Sequence, residues 1–562
     1  MKHTFRRALN TLSALRGPFG WEEILLFIVI AGVFVVNALY VAYPDEYVNI
    51  LAGKAINEGK YAYSGFFDHH LPMAWYIAAS LLKLTFNNFV LFRVAWALLV
   101  FFSFLVLGAH LRKSNPGLYP YFLFYFFIYP FFAVYFWLHL YIGDALATFF
   151  FSLTFWITLN ETFKERVSIR PLLMASFLNF CLLFSSLTFL YMTAALYTWQ
   201  LWLTVREGWN WRRPVAFLMT SASPYVIFLV HLLVTGTLRD FWISNFYYNT
   251  QHYVGVRNYP VGTPFHPVKF ALTIVYNFTN DYMPLISKIK ELNLWLPILN
   301  VAAWGTLLMG AVLLFRDRVA FLCYLGILVF SAPRSTISKY AETDYQMGMF
   351  LTLGLVSSLA VLYQMNRTRL QDSALDTLKR AGGALLGIFL LFTTVFLVKN
   401  TFDKAYQRYL QIMPSISNRS FVSEFVDEII EPGEYFWIGP YQPEHVFPVK
   451  EGRLPGKFPT MLPQFRESEL FSQEFLRQFE ENPPTLIIFK HESSVFNTPA
   501  DIFGKFFLDW MDGKYMNLED LPEYRQLRSP TEINLKGDVY VRVDQQEEML
   551  QRLQDAGYVE RL

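Results

Sequence analysis

The chain has 562 residues, of which 54% are hydrophobic, 19% aromatic and only 16% charged, a balance too apolar for a soluble protein of this size. Its net charge of +2 excludes the strong field expected of a nucleic-acid binder or of a protein built for acidic substrates. Both cysteines, Cys181 and Cys323, lie inside apolar runs, where neither a disulfide framework nor a four-ligand zinc site is available.

The N-terminal "MKHTFRRALNTLSALRGPFGWEE" is basic. The apolar run after it lasts about 20 residues and has no small-residue cleavage site, so a retained first span is expected. Runs long enough to cross a bilayer fall at 23–42, 89–110, 118–137, 144–160, 171–187, 189–204, 214–235, 293–315, 319–333, 345–364 and 381–398, about eleven spans in all. The segment 71–86, "LPMAWYIAASLLKLTF", is excluded by charge bias, because counting it would move Arg112 and Lys113 to the side of Asp45. With eleven spans, Lys and Arg concentrate in the short loops on the side of the N-terminus, which is therefore expected to be cytoplasmic. Two large loops, 43–88 and 236–292, then face outward, as does everything after residue 399.

Within the first outward loop, "PDEYVNILAGKAINEG" predicts a short helix, with Pro44 in its first turn and Gly59 at its stop. Val48, Leu51, Ala52, Ala55 and Ile56 share one face, as in a helix lying on the bilayer surface. Asp45 and Glu46 sit in its first turn, where they either complement the helix dipole or carry chemistry. "FFDHHLP" follows, with Asp68, His69 and His70; the histidines either cap the next helix, bond to Asp68 or bind a ligand. A second acid, Asp144, marks the next outward turn among almost wholly apolar neighbours, where it either caps the following span or is paired or used. In the second large loop, "FWISNFYYNTQHY" has the aromatic density to stack on a sugar, while His252 and His266 read as surface residues.

The tail is charged throughout and carries short strand-like runs at 435–439, 485–489 and 539–543, with helical periodicity in "ELFSQEFLRQFEE" and "IFGKFFLDWM". The fold class is thus mainly α: a polytopic transmembrane domain over 1–399, followed by an extracytoplasmic α/β domain over 400–562. There is no internal repeat, P-loop or strand-bound Gly-rich dinucleotide motif.

The motif order resembles a family. One span, an outward "DE" followed by a Tyr, "FFDHHLP" before an amphipathic helix, "FRVAWALL", an Asp at the next outward turn, "APRSTISKYAETDY" late in the membrane domain and "PPTLIIF" at 483–489 are together similar to GT-C glycosyltransferases that use lipid-linked sugars. The protein-mannosyltransferase and aminoarabinose-transferase relatives are the nearest in pattern. "DHHLP" stands where the family has Lys-Pro-Pro, and "RVAW" lacks the proline after Arg93.

The resemblance implies a polyprenyl-phosphate sugar donor, a lipid, glycan or protein acceptor outside the cytoplasm, and inversion at the sugar's first carbon. An acceptor hydroxyl needs a base within reach, which makes Asp45 the candidate, with Glu46 or Asp144 orienting acceptor or sugar. The leaving lipid phosphate needs fixed cations: Lys339, Arg334 and one of His69 or His70, unless Arg334 and Lys339 only snorkel at a span end. Asp68, Tyr340, Tyr47 and His139 complete the expected substrate-binding set. A divalent cation held by ligands drawn from Asp45, Asp144, Asp68 and the nearby histidines is a further option, although "DE" is not "DxD". Tyr441, His445 and Arg453 lie in a tail loop able to reach back to the cavity.

The alternatives are a transporter, which calls for charges buried mid-span and internal symmetry, and a scaffold with an external binding domain. The outward tail and the absence of a retrieval signal at "VERL" fit a bacterial or archaeal plasma membrane better than an endoplasmic reticulum.

Overall fold

The computed structural model describes residues 20–208, 210–253, 259, 261–288, 297–333, 345–367, 373–411, 418–520, 525–526 and 537–560. It divides into two compact units. One comprises Met1–Tyr40, Leu91–Ile227 and Val268–Met413; the other comprises Val41–Val90, Phe228–Pro267 and Pro414–Leu562.

Each of the eleven apolar runs carries a helix. Among the described residues, six helices are long and apolar enough to cross a membrane: Trp21–Ala38, Phe89–Ser114, Arg212–Val234, Pro297–Arg316, Tyr345–Arg367 and Lys379–Asp403. This is the pattern of a multi-pass membrane protein. The loop 236–292 also contains a 22-residue helix, Pro267–Lys288, which the sequence reading missed because polar residues interrupt its apolar face.

In the first unit the Gly143–Phe163 helix is buried from Asp144 to Phe163. A polar network supports it: Thr154 Oγ1 donates to Asn179 Oδ1 at 2.9 Å, Asn179 Nδ2 to Gln200 Oε1 at 2.9 Å, and Gln200 Nε2 to Thr154 and Thr158 at 3.0 Å. Closing the loop of donors and acceptors satisfies polar atoms that have no water to turn to. The Pro297–Arg316 and Gly348–Arg367 helices approach closely through small residues. A Cβ on Gly354 would lie 2.4 Å from Ala302 Cα, and Ser358 Oγ donates to the Val301 carbonyl at 2.9 Å.

In the second unit four short strands form one sheet. We number them β1 (Phe436–Gly439), β2 (Leu486–Phe489), β3 (Tyr515–Asn517) and β4 (Val539–Arg542); their order is β1-β2-β4-β3. β1 and β2 are parallel with Ile438 opposite Ile488, whereas β4 is antiparallel to both β2 and β3. The parallel pair is buried on both faces, which explains its unbroken apolar sequence. The expected strands at 435–439, 485–489 and 539–543 are present, as are helices at Glu469–Glu481, Ala500–Phe503 and Lys505–Met511. β3 was not expected.

The core of this unit draws on three distant parts of the chain. Phe67 from the first loop and Tyr248 from the second pack with Trp437, Phe465, Phe471 and Phe475 of the tail. Aromatic rings meet at 5.4 Å (Phe67 and Tyr248) and 5.2 Å (Phe67 and Phe471), in the tilted and edge-on arrangements such pairs prefer. The first loop, the second loop as far as Pro267 and the tail from Pro414 thus belong to one compact unit.

Candidate functional site

The predicted helix forms over Pro44–Asn57, with Pro44 at its first position and Gly59 beyond its end at φ +86°. A left-handed residue there closes the helix at little cost because glycine has no Cβ. Burial extends around the helix beyond the expected face: Tyr47, Ile50 and Ala52 are all within 5% of complete burial. Its partner is the Met73–Leu84 helix, 12 residues long, about 18 Å and so too short for a bilayer's hydrocarbon core. Gly53 permits the approach, since a Cβ there would lie 2.7 Å from both Ala78 Cβ and Ala79 N.

Asp45 is half-buried in the first turn of this helix, and its Oδ1 accepts a 2.7 Å hydrogen bond from the Tyr441 hydroxyl. Tyr441 lies two residues past β1, at the carboxyl end of the parallel pair, where open α/β sheets place ligands. Burial holds the Tyr441 hydroxyl well above its ordinary pKa, with further contributions from Asp45, Asp68 and Tyr253. It therefore remains a donor at any physiological pH. Glu46 is fully buried and accepts the Tyr43 N–H at 3.3 Å, a capping role at the helix start. Asn49 Nδ2 donates to the Asp45 carbonyl at 3.1 Å.

Asp68 is 6% exposed. Its Oδ1 accepts the His69 N–H at 2.7 Å, and His70 Nδ1 lies 3.0 and 3.1 Å from its two oxygens. Burial would raise its carboxyl, but the His70 and His69 groups outweigh that and hold it far below the usual carboxylate range. Asp68 is thus a weak base and a strong anchor for both histidines. The two imidazoles lie 4.0 Å apart, and His69 packs against Tyr253 at 4.2 Å and Tyr248 at 5.5 Å. Asn249 Nδ2 donates to the His69 carbonyl at 2.9 Å, and the Tyr63 hydroxyl to the His70 carbonyl at 3.1 Å.

Among the described residues, Asp68, His69 and His70 are also the one group of three metal-ligating side chains, with donor atoms all within 4.8 Å. An N₂O set suits a borderline divalent ion. Asp45 and Asp144, the other possible cation ligands, belong to no such group among the described residues.

Tyr47 is 5% exposed, its ring stacked on Phe89 at 4.4 Å. Lys54, whose ammonium is lowered from its ordinary pKa by burial, donates to the Phe447 and Val449 carbonyls at 3.2 and 2.9 Å. It thereby ties the Asp45 helix to the stretch after Tyr441. His445 is pushed down to about 4 by burial and by the Lys490 charge. His266 is exposed as expected, whereas His252 is half-buried, its ring 5.9 Å from Phe471.

Asp144 and His139 belong to the other unit. Asp144 is 8% exposed and its Oδ1 accepts the Ser186 hydroxyl at 2.8 Å. The helix N-cap is Ile142, so Asp144 does not cap it. The His139 ring lies 5.5 Å from Tyr40, whose carbonyl accepts a 2.6 Å bond from the buried Arg93. Arg334, Lys339 and Tyr340 lie outside the described residues.

The sequence reading missed Tyr248, Tyr253 and Asn249 as individual neighbours of the histidines, although it flagged the stretch that carries them. It also gave Asp144 no partner, and Ser186 has no local signal.

No protein-family model and no curated protein matches the chain. Among solved structures, ArnT from Cupriavidus metallidurans bound to undecaprenyl phosphate is similar over 84% of this chain and 93% of that one, at 12% sequence identity and a TM-score of 0.41.

Proposed function

We propose that this protein is a membrane glycosyltransferase that moves a sugar from a polyprenyl-phosphate donor to an acceptor on the outer face, with inversion. The observation that supports this most is the Asp45 carboxylate, oriented by Tyr441 in the unit that also holds the Asp68, His69 and His70 cluster. In this reading Asp45 takes the acceptor's hydroxyl proton as the hydroxyl attacks the sugar's first carbon from the face opposite the phosphate. The sugar–phosphate bond breaks on the other face, and the polyprenyl phosphate leaves with the electron pair.

The phosphate's developing charge is met by cations. His69 and His70, fixed by Asp68, are suited to this, with Lys339 and Arg334 added from the sequence reading. A divalent cation, if bound by Asp68, His69 and His70, would supply the same charge neutralisation. Glu46 shapes the helix start, and Asp144, held by Ser186, remains the candidate to orient acceptor or sugar. The C-terminal segment then contributes to the site through Tyr441.

The test is donor binding and turnover. The purified protein is offered a panel of polyprenyl-phosphate sugars, and thermal stability and release of polyprenyl phosphate are followed. A true donor stabilises by about 2.7 kcal/mol at 100 times its dissociation constant. No stabilisation and no release across an intact, soluble panel would overturn the reading.

A further inference from the structure

The helical unit has an open hollow of about 1120 Å³ where the Phe89–Ser114, Gly143–Phe163 and Gly348–Arg367 helices end. It lies at the far end of the Gly143–Phe163 helix from Asp144, about 30 Å along the axis, roughly one hydrocarbon thickness. The buried Phe163 and Tyr363 rings line it, together with Lys113, Lys164, Arg166 and Arg367 against one acid, Glu165.

Basic side chains at helix C-termini ordinarily meet the last carbonyls, and several here do. Arg367 donates to the Phe163 carbonyl at 3.0 Å and to the Tyr363 hydroxyl at 3.1 Å. Arg206, from outside the hollow, donates to the Thr162 and Lys164 carbonyls at 3.0 and 3.1 Å, and Arg316 lies over the Phe163 ring at 5.4 Å. Lys164 pairs with Glu161 at 2.5 Å.

The carbonyls are therefore served, yet Lys113 and Arg166 remain, both exposed and neither with a carboxylate partner among the described residues. Asn115 adds a neutral donor: its side-chain oxygen accepts the Tyr363 hydroxyl at 3.1 Å, which leaves its NH₂ group to donate.

We propose that this hollow binds a phosphate group, carried on an anionic phospholipid or free in solution. Two unpaired cations, the Arg367 guanidinium and an amide donor match a tetrahedral oxyanion. The Phe163 and Tyr363 rings in the lining suit the glycerol neck of a lipid. The site is separate from the transferase reading and does not depend on it.

The test compares wild type with Lys113→Ala/Arg166→Ala. Native mass spectrometry counts retained phosphatidylglycerol, with phosphatidylcholine as control, and thermal stabilisation by inorganic phosphate is measured in parallel. A loss of phosphatidylglycerol retention of about tenfold in the variant, with phosphatidylcholine unchanged, identifies a lipid site. Unchanged lipid retention with lost phosphate stabilisation identifies a free-phosphate site. Retention and stabilisation both equal to wild type would overturn the proposal. Lys113→Gln provides a second readout should the double variant not fold, and Lys113→Arg/Arg166→Lys is expected to restore binding.

Discussion

Tyr441 and Asp45, 396 positions apart in the chain, share a 2.7 Å hydrogen bond. A hydrogen bond to a carboxylate favours its charged form and lowers its pKa. Tyr441→Phe is therefore expected to leave the Asp45 carboxylate without that donor and to lower transfer by about tenfold, as read by turnover of the variant. Asp45→Asn, which removes the base itself, is expected to cost at least about 100-fold with the fold intact by circular dichroism. Near-normal turnover in Asp45→Asn would remove that residue from the role.

Asp68→Asn is expected to release both imidazoles from their anchor. Supporting carboxylates of this kind are worth about 10- to 100-fold, and the loss is expected in donor affinity or in retention of a divalent ion, whichever the cluster serves. Equilibrium dialysis against zinc and a donor titration separate the two. An unchanged result in both would return the cluster to a purely structural role.

The acid side of the stability curve is expected to have two phases. His445 titrates at about 4 in the fold against about 6.5 in an unfolded chain, so between those values the unfolded state binds more protons and stability falls as pH falls. The two values differ by up to about 3 kcal/mol, fully present above pH 6.5 and lost by about pH 4. Asp68, whose folded pKa is depressed, contributes stability that is present above its unfolded value of about 3.9 and is lost only below it. His445→Gln is expected to abolish the first phase and keep the second, as read by the thermal midpoint from pH 3 to 8. An unchanged first phase would show that other groups carry it.

Gly53→Val is expected to drive apart the Pro44–Asn57 and Met73–Leu84 helices, because the new Cβ meets backbone at 2.7 Å that cannot turn aside. Overpacking of this kind costs about 1 to 3 kcal/mol. A drop in thermal midpoint together with a loss of turnover would tie the packing to the position of Asp45. A wild-type midpoint would show that the helices separate freely.

By itself the sequence determined the elements whose cause is local. Eleven apolar runs gave helices because length and hydropathy decide that a segment buries its backbone internally. Pro44 and Gly59 bounded the first loop's helix because each acts on its own φ angle. β1, β2 and β4 were legible as apolar runs of strand length. β3 was not, because three residues from Tyr515 to Asn517 become a strand only by pairing with β4. The acids and histidines of the opening loop were likewise visible as residues, since buried charge next to a membrane is costly and so conspicuous.

Their arrangement was decided by tertiary structure alone. Nothing periodic in residues 43–70, 236–253 or 436–511 says that Phe67, Tyr248 and Trp437 share one core. That follows from the mutual fit of aromatic faces, a property of shape rather than of spacing. Once those faces pack, the carboxyl end of β1 delivers Tyr441 to Asp45, and the second loop brings Tyr253 to His69. Long-range pairing of this kind has no local signature because its free energy arises only when the segments have already met.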